Sequence, residues 1–189
     1  MVFDLHFVLR IMFAILCAGV LSFAMTPLVK LLAQKVGAMD VPKDSRRMHT
    51  VPIPRMGGLA IFVAFLLTVL LFSKTQDRTL QAVLLGSILI VILGVFDDIY
   101  ALSAPLKLVV QIAAACIVVF YGGSRIQYIT NPFSQDAAAY WDLGVFAIPV
   151  TIFWIVAITN AVNFIDGLDG LACGVSCISA LNMLVIALL

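Results

Sequence analysis

Glutamate is absent from this sequence, and all ten acidic residues are aspartates. Charge of either sign is scarce, at 11% of residues, and there are only two histidines, His6 and His49. These shortages exclude function classes. A nucleic-acid partner requires a basic face, and no segment supplies one, so no nucleic acid is expected to bind. The four cysteines, Cys17, Cys116, Cys173 and Cys177, all lie inside apolar runs. Thiols so placed act as small hydrophobes, and neither a disulfide framework nor a cysteine metal site is read from them. Cys173 and Cys177 lie one helical turn apart, with no histidine nearby.

What the chain has in quantity is apolar side chain. Hydrophobic residues make up 63% of it, against roughly 45–50% in a soluble domain, and the mean hydropathy is +1.17. A soluble fold of 189 residues has no interior large enough to hide that surface. The lipid bilayer is the expected solvent. The expected fold is therefore all-α, a polytopic transmembrane helix bundle, because a helix satisfies its own backbone in hydrocarbon.

A bilayer core takes about 20 apolar residues as helix. Six runs qualify: 7–29, 57–73, 80–96, 106–122, 143–162 and 170–189. The first has a short polar lead and no small-residue cleavage site, so it reads as a retained span and not a removed signal. Lys30, Lys35, Lys43, Arg46, Arg47 and Arg55 fall between spans one and two, and Lys107 follows span three. Arg10, Lys74, Arg78 and Arg125 fall on the other side. Seven basic residues against four predict an outside N-terminus and cytoplasmic loops at about 30–56, 97–107 and 159–170. The outer segment 123–142, with Tyr128, Phe133, Tyr140 and Trp141, reads as an interfacial loop or short hairpin. One membrane domain, 1–189, is expected.

Three constellations on the cytoplasmic side could carry chemistry. Asp97-Asp98 closes span three in GVFDDIYALSAPLK. Adjacent carboxylates repel, and a hard divalent cation neutralises such a pair; a neighbouring charge can also make one of them a general base. A solvated helix end would explain the same residues without function. Asn160, Asn163, Asp166 and Asp169 in ITNAVNFIDGLDGLA recur every third residue, which in helical form gives one slowly rotating stripe. Four polar groups facing lipid would be costly, so a cavity is expected beside them; Asp-Gly turns and caps are the plain alternative. In the first loop, AMDVPKDSRRMHTVPIPRMGG, Pro42, Pro52 and Pro54 stiffen an extended segment. Its cations suit phosphates, although the positive-inside bias alone explains their sign. Lys107 either snorkels to the interface or reaches an anionic ligand near the aspartates. The residues alone imply an anionic, metal-bound substrate handled at the inner leaflet.

In this order, GGLAIF, GVFDDIYALSAPLK and NAVNFIDGLDGLA resemble the polyprenyl-phosphate N-acetylhexosamine-1-phosphate transferases, glycosyltransferase family 4. The likeness runs from about Asp40 to Gly174. The DVPKDSRRMHTVPIPRMGG loop resembles the undecaprenyl-phosphate N-acetylglucosaminyl 1-phosphate branch, which starts teichoic acid and O-antigen synthesis. Phospho-N-acetylmuramoyl-pentapeptide transferases are the alternative branch.

The resemblance implies a reaction in a bacterial inner membrane. Undecaprenyl phosphate attacks the β-phosphate of UDP-N-acetylglucosamine, and UMP leaves. Mg2+, or Mn2+ in its place, would polarise the diphosphate. Asp97 and Asp98 would serve as metal ligands and catalytic groups, in an order the residues leave open. Asn160, Asn163, Asp166 and Asp169 would line the nucleotide pocket. Lys107, Arg46, Arg47 and His49 would meet substrate phosphates. A homodimer is the assembly considered. The family has about ten or eleven spans, a later Gly-Asp segment and a His-rich loop, so this polypeptide is expected to be part of a longer transferase and inactive alone. A transporter piece, or a non-catalytic membrane subunit, is the reading from other classes.

Overall fold

Hydropathy marks where a helix leaves lipid, whereas hydrogen bonding decides where it ends. A computed structural model of the chain describes residues 5–40, 52–131, 133, 139–167 and 170–188. Its first helix, α1, runs Leu5–Val36. The span expected at 7–29 therefore continues as helix through Lys30 and Lys35. At 32 residues it is about 48 Å long, more than the roughly 30 Å of a hydrocarbon core. The helix stops at Gly37, whose φ is +77°, and the Ala38 N–H donates to the Ala33 carbonyl at 2.9 Å. That closure needs a left-handed residue, and glycine takes it at least cost.

The chain then folds back on itself. Strand β1, Met39–Asp40, pairs antiparallel with β2, Ile53–Pro54, with Asp40 opposite Ile53. The Arg55 guanidinium reaches the Asp40 carboxylate at 2.6 Å, and the Arg55 N–H donates to the Ala38 carbonyl at 3.0 Å. The two ends of the basic loop are thus tied together. Arg46, Arg47 and His49 lie outside the described residues.

Helix α2, Gly57–Phe72, returns along α1, and Arg10 donates to the Phe72 carbonyl at its far end. Helix α3, Arg78–Tyr100, starts at Asp77, whose carboxylate accepts the Thr79 and Leu80 N–H groups. Val29, Ala33, Ala38, Met56 and Ala60 form a buried cluster where α1 and α2 meet, and Val95 and Ile99 of α3 pack against it. The C-terminal turns of α3 therefore sit beside the tied ends of the basic loop.

Helix α4, Ala104–Cys116, has Ser103 at its N-cap and Pro105 in its first turn, where the missing N–H costs nothing. A π-helical turn, Ile117–Tyr121, continues it. Here α3 and α4 approach closely. A Cβ built on Gly122 would lie 2.6 Å from the Ala82 Cβ and 2.6 Å from the Val118 carbonyl oxygen. Because one of those contacts is backbone, Gly122→Ala is expected to lower stability by about 1–3 kcal/mol. The readout is the thermal midpoint of the detergent-solubilised protein, and an unchanged midpoint would show that the helices separate without cost.

Strands β3, Tyr128–Thr130, and β4, Tyr140–Asp142, form the outer hairpin, with Ile129 opposite Trp141. A short 3-10 turn, Gly144–Phe146, leads into α5, Ala147–Ile165, and α6 is Leu171–Leu188. The chain packs as two compact units, one reaching to Gly123 and the other beginning at Ser124. Five of the described helices, counting the π and 3-10 extensions, are long and apolar enough to cross a membrane; α2 is a shorter apolar helix. Phe23, Leu71, Phe153 and Ile186 stand out from them largely uncovered, which suits lipid and not water. The protein is an all-α polytopic membrane protein.

Candidate active site

One aspartate organises the α3–α4 turn. After Tyr100 the chain passes through Ala101 at φ +50°, the only non-glycine residue with positive φ among those described. For an L-residue that conformation costs about 1–2 kcal/mol. Asp97 supplies the compensating bonds. Its carbonyl accepts the Ala101 N–H at 2.8 Å, and its Oδ1 accepts the Leu102 N–H at 2.9 Å. Its Oδ2 accepts the Lys107 ammonium at 3.0 Å. The ion pair is partly open to the surroundings, with the Lys107 and Asp97 side chains 37% and 29% exposed.

Lys107 thus has a third placement beyond the two read from sequence: it folds back onto Asp97 itself. Asp98 follows, half-buried and about 100° further round α3. Lys107 offsets one of the two adjacent carboxylates. Mg2+ asks a protein for one or two carboxylates and takes its remaining ligands from water and substrate phosphates. The donor set at the end of α3 fits that demand. Among the described residues no cluster of three or more His, Cys, Asp or Glu side chains stands where a metal could be held; the Asp97-Asp98 pair is a candidate on its own chemistry.

The Asn/Asp stripe belongs to the second unit and is only partly helical. Helix α5 ends at Ile165, and Asp166 is its C-cap at φ −80°, ψ 44°. Asn160 and Asn163 therefore share the helix, while Asp166 lies in the turn that follows. The Asp166-Gly167 sequence favours a turn over another helical residue, and this breaks the three-residue register. Asn160 Nδ2 donates to the Val156 carbonyl at 2.8 Å, an i−4 bond that orients its amide along the helix. Asn163 and Asp166 are exposed. Gly170, at φ +78°, opens α6; Asp169 is outside the described residues.

The structure brings Asp97, Asp98 and Lys107 together in the first unit and places Asn160, Asn163 and Asp166 at the end of α5 in the second. Two features escaped the sequence reading. The Asp40–Arg55 pair could be sought only once the β1–β2 register was known. The Asp97 bond to the Leu102 N–H depends on the left-handed Ala101, and an alanine gives no signal of that conformation. The carboxylates and amides lie in the last turns of α3 and α5 or just beyond them, not at mid-helix, where a midplane transport site would sit.

Comparison with known proteins identifies relatives over most of the chain. The family model described as "Glycosyl transferase family 4" matches residues 80–189. A Bacillus subtilis (strain 168) protein named "Probable undecaprenyl-phosphate N-acetylglucosaminyl 1-phosphate transferase" is 39% identical over 95% of this chain and 49% of its own length. A Mycobacterium tuberculosis "Decaprenyl-phosphate N-acetylglucosaminephosphotransferase" is 36% identical over 88% of this chain and 42% of its own. A Chlorobaculum parvum "Phospho-N-acetylmuramoyl-pentapeptide-transferase" is 34% identical over 71% of this chain and 39% of its own. The chain spans about half the length of these relatives or less.

Proposed function

Because this chain belongs to glycosyl transferase family 4, we propose that it serves the transfer of N-acetylglucosamine 1-phosphate from UDP-N-acetylglucosamine to undecaprenyl phosphate. An oxygen of the lipid phosphate forms a bond to the β-phosphorus. The bond from that phosphorus to the bridging oxygen breaks, and UMP leaves with the electron pair. The observation that carries this reading is the Asp97-Asp98 pair at the end of α3 with Lys107 held on it at 3.0 Å. The 39% identity to the Bacillus subtilis relative, against 32–36% for the muramoyl-pentapeptide relatives, favours N-acetylglucosamine 1-phosphate as the group transferred.

In this reading each residue has a task suited to its chemistry. Asp97 fixes the α3–α4 turn and presents Lys107, whose ammonium meets diphosphate oxygens when substrate arrives. Asp98 is the carboxylate that takes a proton from the acceptor phosphate or shares the divalent cation. Mg2+, held at Asp97 and Asp98, would supply Lewis-acid polarisation of the diphosphate. Asn160, Asn163, Asp166 and Asp169 would bind the nucleotide, and Arg46, Arg47 and His49 the phosphates. In this reading the bias of the basic residues supports an outside N-terminus and a cytoplasmic working face, in a bacterial inner membrane.

The test is an assay of membranes carrying the full-length gene product, supplied with radiolabelled UDP-N-acetylglucosamine and undecaprenyl phosphate. UMP and a lipid-linked sugar diphosphate should appear in equal amounts; a labelled lipid without UMP would overturn the phosphotransfer reading. Chelation with EDTA is expected to stop turnover, and added Mg2+ to restore it. A rate indifferent to chelation would remove the metal from the proposal.

A further inference from the structure

Between α1 and the start of α2 lies a cavity of about 170 Å3, comparable to the ~150 Å3 that accepts a benzene-sized apolar guest. Thr26, Lys30 and Ala33 line it from α1, and Met56, Gly57 and Ala60 from the other side. Positions 26, 30 and 33 fall on one helix face. Small residues leave the space open, and a Cβ built on Gly57 would meet nothing within 4 Å.

The polar chemistry of this groove is limited to one cation. The Thr26 hydroxyl is spent on the Ser22 carbonyl at 2.8 Å. Lys30 is exposed, and it makes no ion pair among the described residues, whereas the nearby Arg55 is committed to Asp40. Lys30 is also the first basic residue after the apolar stretch that follows Arg10. That places its ammonium at the level where lipid phosphates lie.

We propose that this groove is a binding site for an anionic glycerophospholipid of the bilayer, with an acyl chain at its open mouth against Thr26, Pro54 and Gly57 and the headgroup phosphate on Lys30. Charge favours a phosphodiester. A phosphodiester carries one negative charge, which a single lysine matches, whereas a phosphomonoester carries about −1.5 to −2 at neutral pH.

The test uses the full chain in nanodiscs with a photoactivatable phosphatidylglycerol bearing a mid-chain diazirine, in competition with phosphatidylcholine or phosphatidylglycerol. Crosslinks should map to peptides holding residues 26–33 and 56–60, and phosphatidylglycerol should compete about fivefold better than phosphatidylcholine. Lys30→Gln should erase that preference, while Lys35→Gln, the same charge change elsewhere on α1, should keep it. Gly57→Leu should lower crosslinking at both peptides by filling the groove. Equal loss in the two lysine variants would reduce the effect to general surface charge and overturn the proposal. So would crosslinks spread evenly round α1, or stronger competition by a polyprenyl phosphomonoester. Circular dichroism of each variant shows that it is folded.

Discussion

In the full-length gene product, Asp98→Asn is expected to reduce UMP release by about 10²–10⁴-fold, the range for losing a positioned acid–base group, with insertion and yield unchanged. The substitution preserves size and removes only charge. Asp98 lies in the last turn of α3, half-buried, and is neither a core residue nor a cap of that helix. Removing the negative charge also relieves repulsion from Asp97, and the thermal midpoint of the variant separates lost turnover from a folding defect. The Mg2+ dependence of the variant separates two roles. If Asp98 mainly ligates the cation, excess Mg2+ should recover part of the rate. If it removes a proton, saturating Mg2+ leaves the defect in place. Near-normal turnover in Asp98→Asn would sink the assignment of this end of α3 as the reacting centre.

The parts of this molecule legible in sequence are those set by transfer of side chains into lipid. All six expected spans appear as helices, because hydropathy and helix formation point the same way within hydrocarbon. Their ends were less legible. Lys30 and Lys35 halt the apolar run, yet α1 continues to Val36, because lysine, leucine, alanine and glutamine favour helix outside lipid too and Gly37 supplies the stop. The Asn/Asp repeat predicted a stripe, and its first two members do share α5. The third does not, because a local Asp-Gly turn competes with periodicity and wins at Asp166. Family motifs named Asp97, Asp98 and Lys107 as a group, and the structure shows how two of them are joined. The tie between them rests on a left-handed alanine and on a contact ten residues away in sequence. Neither has a compositional trace. The loop ends joined by Asp40 and Arg55 are a similar case, since pairing across the loop is a property of register and not of any single residue.

Lys107→Met is expected to lower turnover by about 10²-fold while changing stability by no more than about 1 kcal/mol. The two magnitudes are set by different states. In the structure, Lys107 is paired with Asp97 at 3.0 Å, but at 37% and 29% exposure the pair is well screened, and such pairs contribute little to folding. The Leu102 N–H bond to the other Asp97 oxygen, at 2.9 Å, still holds the turn when the lysine is gone. With a diphosphate bound, the same ammonium would face developing negative charge, where one charge-assisted contact gives about 10²–10³-fold in rate. Methionine keeps most of the length and apolar stem, so the loss reports on the charge. Asp97→Asn is the companion variant: it loosens Lys107 without removing it, and its Mg2+ dependence reports separately on the cation site. If Asp97 acts by presenting the lysine, Asp97→Asn should raise KM for the UDP-sugar, and adding Lys107→Met should cost less than in the wild-type background. If the two losses add in full, Asp97 and Lys107 act independently, and Asp97 acts through the cation and not by presenting the lysine.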